Sequence, residues 1–183
     1  MPSLLNIGAG HVQIPQEYRH YHVVTLDLDA QTEPDLCMDV RNLRDLAPRQ
    51  YDVVYASHIL EHLSAHEVDG VLWGIWWVLA DSGHAYVRVP DVLGVIAHVA
   101  AHGLDLDSLL YQSAAGPIHV SDVLWGWREA IQNGGGTFYQ HKTGFSRNTL
   151  GRALRAARFE YVEIGKSRFE LHAHAWKRRP EGK

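Results

Sequence analysis

Gly8 and Gly10 stand one residue apart after the run Ser3-Leu4-Leu5-Asn6-Ile7. A buried strand opening onto a Gly-x-Gly turn can cradle a nucleotide. Glycine tolerates unusual dihedrals, and without a Cβ it lets a ligand press on the backbone. The same pair is also ordinary turn punctuation. Polar residues close the neighbouring apolar segments in the same way: Asn6 near the end of the first, Asp27 after His22-Val23-Val24-Thr25-Leu26, and Asp39 after Cys37-Met38. In an open parallel sheet a ligand lies across the carboxyl ends of the strands. An acid at the end of the second strand is placed to accept hydrogen bonds from both hydroxyls of a ribose. Singly, each aspartate reads as a cap of a turn; in register with Gly8 and Gly10, they read as a nucleoside grip.

Other chemistry-bearing residues cluster further along. On a helix, His58 and His62 of His58-Ile59-Leu60-Glu61-His62 share a face, the spacing of a zinc-protease motif read in reverse. His119, His141 and Lys142 flank the glycine-rich stretch Asn133-Gly134-Gly135-Gly136, the most flexible piece of the chain by composition. Trp125, Trp127, Phe138 and Tyr139 suit stacking on a sugar or aromatic ring, and equally suit packing a cap onto a sheet. Trp73, Trp76 and Trp77 suit packing or an oligomer face. Cys37 is the only cysteine, so no intramolecular disulfide and no cysteine cluster for zinc can form.

The elements that must position these groups follow from periodicity. Leu4–Ile7, His22–Asp27, Cys37–Val40, Tyr51–Ala56 and Ala85–Val89 read as strands. Ser64 with Glu67 forms a capping box ahead of Val68, Val71, Leu72, Ile75 and Leu79 at helical spacing, and Asp81-Ser82-Gly83 ends that helix. Alternation of strand and crossover predicts a parallel sheet. The middle predicts helices over Asp91–His102, Leu106–Ala114 and Ser121–Gln132, and another begins at Ser146. Phe159–Ile164 and Phe169–Trp176 read as an antiparallel hairpin at the sheet edge. At 183 residues, 46% apolar and 21% charged, the chain suits one soluble domain. A net charge of −4 argues against a duplex nucleic-acid partner. No apolar run reaches the length of a membrane span and no export leader is evident, which makes the cytoplasm the expected location.

Leu4-Leu5-Asn6-Ile7-Gly8-Ala9-Gly10, Leu26-Asp27, Met38-Asp39-Val40 and Tyr51-Asp52-Val53-Val54-Tyr55-Ala56-Ser57-His58-Ile59-Leu60-Glu61-His62-Leu63 resemble class I S-adenosylmethionine-dependent methyltransferases of the type 11 kind. Trp77–Gly83 and Val87-Arg88-Val89-Pro90 are similar to that family's helix end and fifth strand. The resemblance implies an α/β fold: a single-domain Rossmann-like seven-stranded sheet, mostly parallel with one antiparallel edge strand, and a helical insertion. It implies one methyltransferase domain over residues 1–183, with 91–145 as a helical substrate cap or lid. It implies S-adenosyl-L-methionine as cofactor and S-adenosyl-L-homocysteine as product. Asn6, Gly8, Ala9 and Gly10 would border the methionine part, Asp27 with Leu28 the ribose, Asp39 with Val40 the adenine, and Ser57 would lie along the cofactor.

Two departures stand out. Asn6 occupies a position usually acidic in the family. Val12 replaces a third glycine, and the usual long first helix is cut short. A nicotinamide dinucleotide would need a third glycine where the chain has Gln13. The context rules out the protease reading of His58 and His62. The segment after the fourth strand, Ala56-Ser57-His58-Ile59, lacks the family's device for exocyclic base amines. Cys37 is on the wrong strand for a cytosine nucleophile. A small-molecule or glycan-like hydroxyl acceptor is therefore expected, with an amine second. His58 or His141 would be the base, with His119, Trp125, Tyr139 and Lys142 on the substrate side. No metal is part of this primary expectation. Some family members hold a divalent ion with a Glu-x-x-Glu-His group, onto which only Glu61 and His62 map here, leaving metal use as an alternative. A degenerate fold acting as a non-catalytic binding protein is the remaining alternative.

Overall fold

The computed structural model describes residues 1–10, 14–113 and 116–182. Val12 and Gln13, the positions of the altered glycine pattern, lie outside the described residues. Nine strands are present among the described residues: β1 Ser3–Ile7, β2 His22–Asp27, β3 Leu36–Cys37, β4 Tyr51–Ser57, β5 Leu79–Pro90, β6 Leu109–Ser113, β7 Gly116–His119, β8 Tyr161–Ser167 and β9 Glu170–Trp176. The helices are α1 Ala65–Val78, α2 Val92–His102, α3 Val120–Trp125, α4 Arg128–Ala130 and α5 Arg147–Ala156.

Seven strands form one sheet in the order β3-β2-β1-β4-β5-β9-β8. Pairings among β1 to β5 are parallel, whereas β9 is antiparallel to both β5 and β8. The expected mostly parallel sheet is thus present, and its antiparallel strand lies one place in from the edge. Strand order reverses between β1 and β4. A ligand crevice at that reversal opens at the carboxyl ends of those strands.

Burial explains the strand sequences. Leu4, Leu5, Ile7, Val53, Val54 and Ala56 are almost fully buried, as central parallel strands covered on both faces require. In β5 and β9, Ala85, Val87, Val89, Leu171, Ala173 and Ala175 join the core with Val68, Leu72 and Ile75 of α1 and with Leu150 and Leu154 of α5. The alternate residues His84, Tyr86, His172, His174 and Trp176 line the opposite face as a ladder of stacked rings, which absorbs several of the chain's thirteen histidines.

One expectation about the connections holds and three are corrected. Between β1 and β2 the described chain holds only a short 3-10 turn, Gln16–Tyr18, so the short crossover is real. Helix α1 ends at Val78 and passes straight into β5, so Asp81-Ser82-Gly83 lies within that strand. Gln50 N–H takes the Val78 carbonyl at 2.8 Å, drawing the helix end into the sheet. The helix expected over Leu106–Ala114 is instead strand β6 of a two-stranded hairpin with β7 (Ala114 lies outside the described residues). The helix expected over Ser121–Gln132 breaks at Gly126, whose φ is +103° and whose Cβ, if present, would sit 1.9 Å from the Tyr139 carbonyl oxygen. The segment 91–145 is therefore mixed rather than wholly helical.

Candidate functional site at the strand ends

The turn after β1 is built as its sequence demands. Gly8 and Gly10 have φ of +63° and +45°, a region open to glycine at little cost. The N–H groups of Gly8 and Ala9 both reach the Leu26 carbonyl, at 2.8 and 3.2 Å, which sews the turn to β2. The Asp27 carboxylate then accepts the Gly10 N–H through Oδ2 at 2.8 Å and the Asp29 N–H through Oδ1 at 2.9 Å. Gly8, Ala9, Gly10 and Asp27 thus converge, as expected. Leu28, next to Asp27, is 44% exposed, and no atom of the described residues lies within 4 Å of where a Cβ on Gly10 would sit.

The other expected cofactor residues are less uniform. Asn6 and Ser57 are buried, in β1 and at the end of β4. Asp39 caps a 3-10 turn, Val40–Asp45, and turns its carboxylate to Arg41, whose Nε lies 2.9 Å from both oxygens. That ion pair holds the Asp39 carboxyl below its usual range. Val40 packs into the main core.

At the end of β4 the backbone turns sharply. His58 has φ +53°, a strained conformation for a residue with a Cβ and one that clusters at functional sites. Its N–H bonds the Arg88 carbonyl at 2.9 Å. Its ring is clamped between two carboxylates: Nδ1 lies 3.0 Å from Glu61 Oε1, and Nε2 bonds Glu170 Oε1. Burial alone would lower the imidazole pKa, but hydrogen bonds to Glu170 and Glu61 reverse this and lift it to about 9. Glu170 is in turn gripped by Arg88, whose Nη2 is 2.7 Å from Oε2, while Arg88 Nη1 donates to Tyr55 Oη at 3.1 Å. Burial would raise the Glu170 carboxyl; the His58 and Arg88 hydrogen bonds pull it to about 2 instead. His58 is therefore an imidazolium with both nitrogens committed, which is the opposite of a free base.

The second histidine candidate sits differently. His141 Nδ1 faces the Val123 carbonyl at 2.8 Å, and His62 Nδ1 faces the Gln140 carbonyl at 3.2 Å. A carbonyl only accepts, so each Nδ1 carries a proton, and in the neutral imidazole Nε2 is then the nitrogen with the lone pair. The two rings meet edge to face with centroids 5.0 Å apart. Burial holds the His62 pKa below its usual value. Glu61, 1% exposed, lies beside them, and its carbonyl accepts the Lys142 and Thr143 N–H groups at 2.8 and 3.2 Å. The chain after the glycine-rich stretch is thus tied to the corner following β4.

The remaining substrate-side residues are spread around this point. His119 caps α3, with its backbone N–H and its Nδ1 both directed to Asp122 Oδ2 at 2.8 and 3.1 Å. It lines an open depression of about 420 Å³ with Asp122, Trp127 and Gln132. Trp125, Phe138 and Tyr139 are 55%, 65% and 44% exposed, so they do not pack the cap onto the sheet. Arg88 and Glu170 were not legible as site residues. The only sequence signal was a pair of charges in otherwise apolar-alternating strands, and only the antiparallel register of β5 and β9 brings them together.

No family model matches the chain, and no curated protein matches it in sequence. Solved structures do. It is similar to an S-adenosylmethionine-dependent methyltransferase from Archaeoglobus fulgidus, at 14% identity and TM-score 0.61 over 95% of this chain and 85% of that one. A 1,6-didemethyltoxoflavin-N1-methyltransferase from Burkholderia thailandensis, solved with bound 1,6-didemethyltoxoflavin and S-adenosylhomocysteine, is similar at 17% identity and TM-score 0.55, over 95% of this chain and 70% of that one. A putative O-methyltransferase from Nostoc punctiforme is similar at 14% identity and TM-score 0.56, over 94% of this chain but 52% of that one. No helix among the described residues is long and apolar enough to cross a membrane. With its strand order, its antiparallel β9 and its glycine turn, the chain has the fold of the class I S-adenosylmethionine-dependent methyltransferases.

Proposed function

We propose that this protein is a methyltransferase that uses S-adenosylmethionine to methylate a hydroxyl group of a small-molecule or glycan-like acceptor. The observation that carries this is the Asp27 carboxylate bound to the Gly10 N–H at 2.8 Å, at the mouth of the strand-order reversal. Each Asp27 oxygen accepts one backbone N–H and keeps a further lone pair, which suits two ribose hydroxyls. The Gly10 position, free of described atoms within 4 Å of where a Cβ would sit, and the exposed Leu28 suit a flat nucleoside beside them. Bound S-adenosylmethionine supplies an electrophilic methyl group on its sulfonium. The protein's task is then to align the acceptor, exclude water and handle the acceptor's proton.

On the acceptor side, His58 gives up the role of base, because both its nitrogens are engaged. It positions Glu61. The groups open to an acceptor oxygen are the lone pairs of the Glu61, His62 and His141 cluster. The exposed side chains of Trp125, Tyr139 and Lys142, close in sequence to His141 or tied to it and Glu61 through the backbone, are assigned to the acceptor side. The hydroxyl preference rests on this cluster, since an oxygen acceptor needs help losing its proton in a way the sulfonium does not provide.

Isothermal titration with S-adenosylmethionine tests the reading. Wild-type protein binds, and Asp27→Ala weakens binding by roughly 10- to 100-fold, the worth of hydrogen bonds to a charged group. Transfer of labelled methyl to hydroxyl acceptors in preference to amines supports the acceptor class. A folded wild-type protein that ignores millimolar S-adenosylmethionine overturns the enzyme reading and leaves a non-catalytic binding protein.

A further inference from the structure

Glu61 Oε2 is buried and has no hydrogen-bond partner among the described residues, although Glu61 Oε1 is held by His58. A buried carboxylate oxygen left unpaired is costly and calls for a missing partner. One ligand-capable atom each from Glu61, His62 and His141 lies within 4.8 Å of the other two. Because each histidine directs Nδ1–H to a carbonyl and Glu61 Oε1 faces His58, the atoms left to serve a ligand are acceptors: Glu61 Oε2 and an Nε2 from each histidine. No donor stands among them, and one water molecule has only two protons to give. A cation satisfies all three.

We propose that Glu61, His62 and His141 bind a single divalent transition-metal ion, and that this ion holds and acidifies the acceptor oxygen. Two imidazoles and one carboxylate make a set suited to Zn²⁺ and its neighbours rather than to Mg²⁺ or Ca²⁺, which favour all-oxygen shells. Three protein ligands leave positions open for a water or substrate oxygen, as in catalytic sites. The outer partners are already in place. The Val123 and Gln140 carbonyls fix the two imidazole tautomers, and His58 fixes Glu61. Glu170 offsets the His58 charge that would otherwise repel the ion. An acceptor hydroxyl bound to the ion gives its proton to solvent, its oxygen forms the new bond to the methyl carbon, and the carbon–sulfur electron pair stays on sulfur. His141 comes from a segment distant in sequence from Glu61 and His62, so the ion also staples residues 140–143 to the corner after β4.

The ion's role rests on the methyl-transfer reading; its binding does not. Chelator-treated protein is titrated with Zn²⁺ by calorimetry and with Co²⁺ by visible absorption, without S-adenosylmethionine. Wild type takes up one ion per chain, binds Mg²⁺ more weakly, and melts at a higher temperature once Zn²⁺ is restored. His62→Ala and His141→Ala each lose at least tenfold in affinity and lose the melting shift; if either fails to fold by circular dichroism, His141→Asn replaces it. His58→Gln, which disturbs only an outer partner, loses about 10- to 100-fold. His98 and His102, whose rings lie 4.1 Å apart on α2, are the obvious adventitious site, and the double change to alanine leaves the tight site intact. Absence of saturable Zn²⁺ and Co²⁺ binding overturns the proposal. So does binding that survives both His62→Ala and His141→Ala, or that disappears with His98 and His102. Protein that binds S-adenosylmethionine but no ion sinks this proposal alone. Protein that binds the ion but not S-adenosylmethionine sinks the acceptor role and the methyl-transfer reading while leaving the site.

Discussion

A Cβ on Gly8 would lie 2.7 Å from Ile59 Cδ1 and 3.0 Å from its Cγ1. The glycine turn and the corner after β4 therefore touch, and Gly8 is required both by its dihedral and by its neighbour. Gly10 has the same kind of dihedral, but no atom of the described residues lies within 4 Å of where its Cβ would sit. Gly10→Ala is expected to cost about 1–2 kcal/mol from the left-handed backbone alone. Gly8→Ala adds a clash and costs more. Urea unfolding of the two variants checks the order; equal losses would show that Ile59 yields freely.

Arg88, Glu170 and His58 form one chain of charges across β5, β9 and the corner after β4. Glu170→Gln leaves two cations facing a neutral amide, and is expected to cost about 1.5–3 kcal/mol. A double-mutant cycle with Arg88→Met should return a coupling of about 1 kcal/mol or more, since the two side chains share a network. Additive losses would mean the pair is no more than a surface contact.

Two carboxyls set an acid limit on stability. Arg41, together with the Ser64 N–H, pulls Glu67 to about 2, and Glu170 is held equally low. Both are depressed in the folded state. Their contribution is thus present above the unfolded value of about 4.3 and is lost as pH falls toward 2. Unfolding measured between pH 5 and 2 should show a falling limb that Glu67→Gln and Glu170→Gln each flatten. A limb unchanged in both variants would assign acid loss to other groups.

Trp125 is 55% exposed, and its carbonyl, not its ring, anchors the His141 N–H at 3.1 Å. Trp125→Ala should therefore change stability by less than about 0.5 kcal/mol. If the ring stacks on the acceptor, the same variant raises KM severalfold with kcat nearly unchanged. A large stability loss would make the ring structural.

Much of this was written locally in the chain. The apolar runs of β1, β2 and β4 and the Ser64 to Glu67 capping box each carry their own signal, and Glu67 Oε2 does accept the Ser64 N–H at 2.8 Å. Asp27 was legible because strand end and turn are fixed by short-range patterning. What failed were features decided by distant partners. Leu109–Ser113 becomes a strand only by pairing with Gly116–His119. Gly126 breaks a helix because the Tyr139 carbonyl occupies the place of its Cβ. His58 looked like a base because nothing near it in sequence announces Glu170, 112 residues away. The unpaired oxygen of Glu61 is a property of packing that no spacing reveals.

Strand β9 is made after β8 yet inserts between it and β5. During synthesis on the ribosome, β5 must wait with an unpaired edge until residues 170–176 have emerged, a state open to association with other nascent chains. Glu170 arrives with that same segment, so the clamp on His58 closes as the sheet does. Maturation of the candidate site is thereby coupled to the last long-range pairing of the sheet, and a chain stalled before that point would expose its half-built centre and its sticky border together.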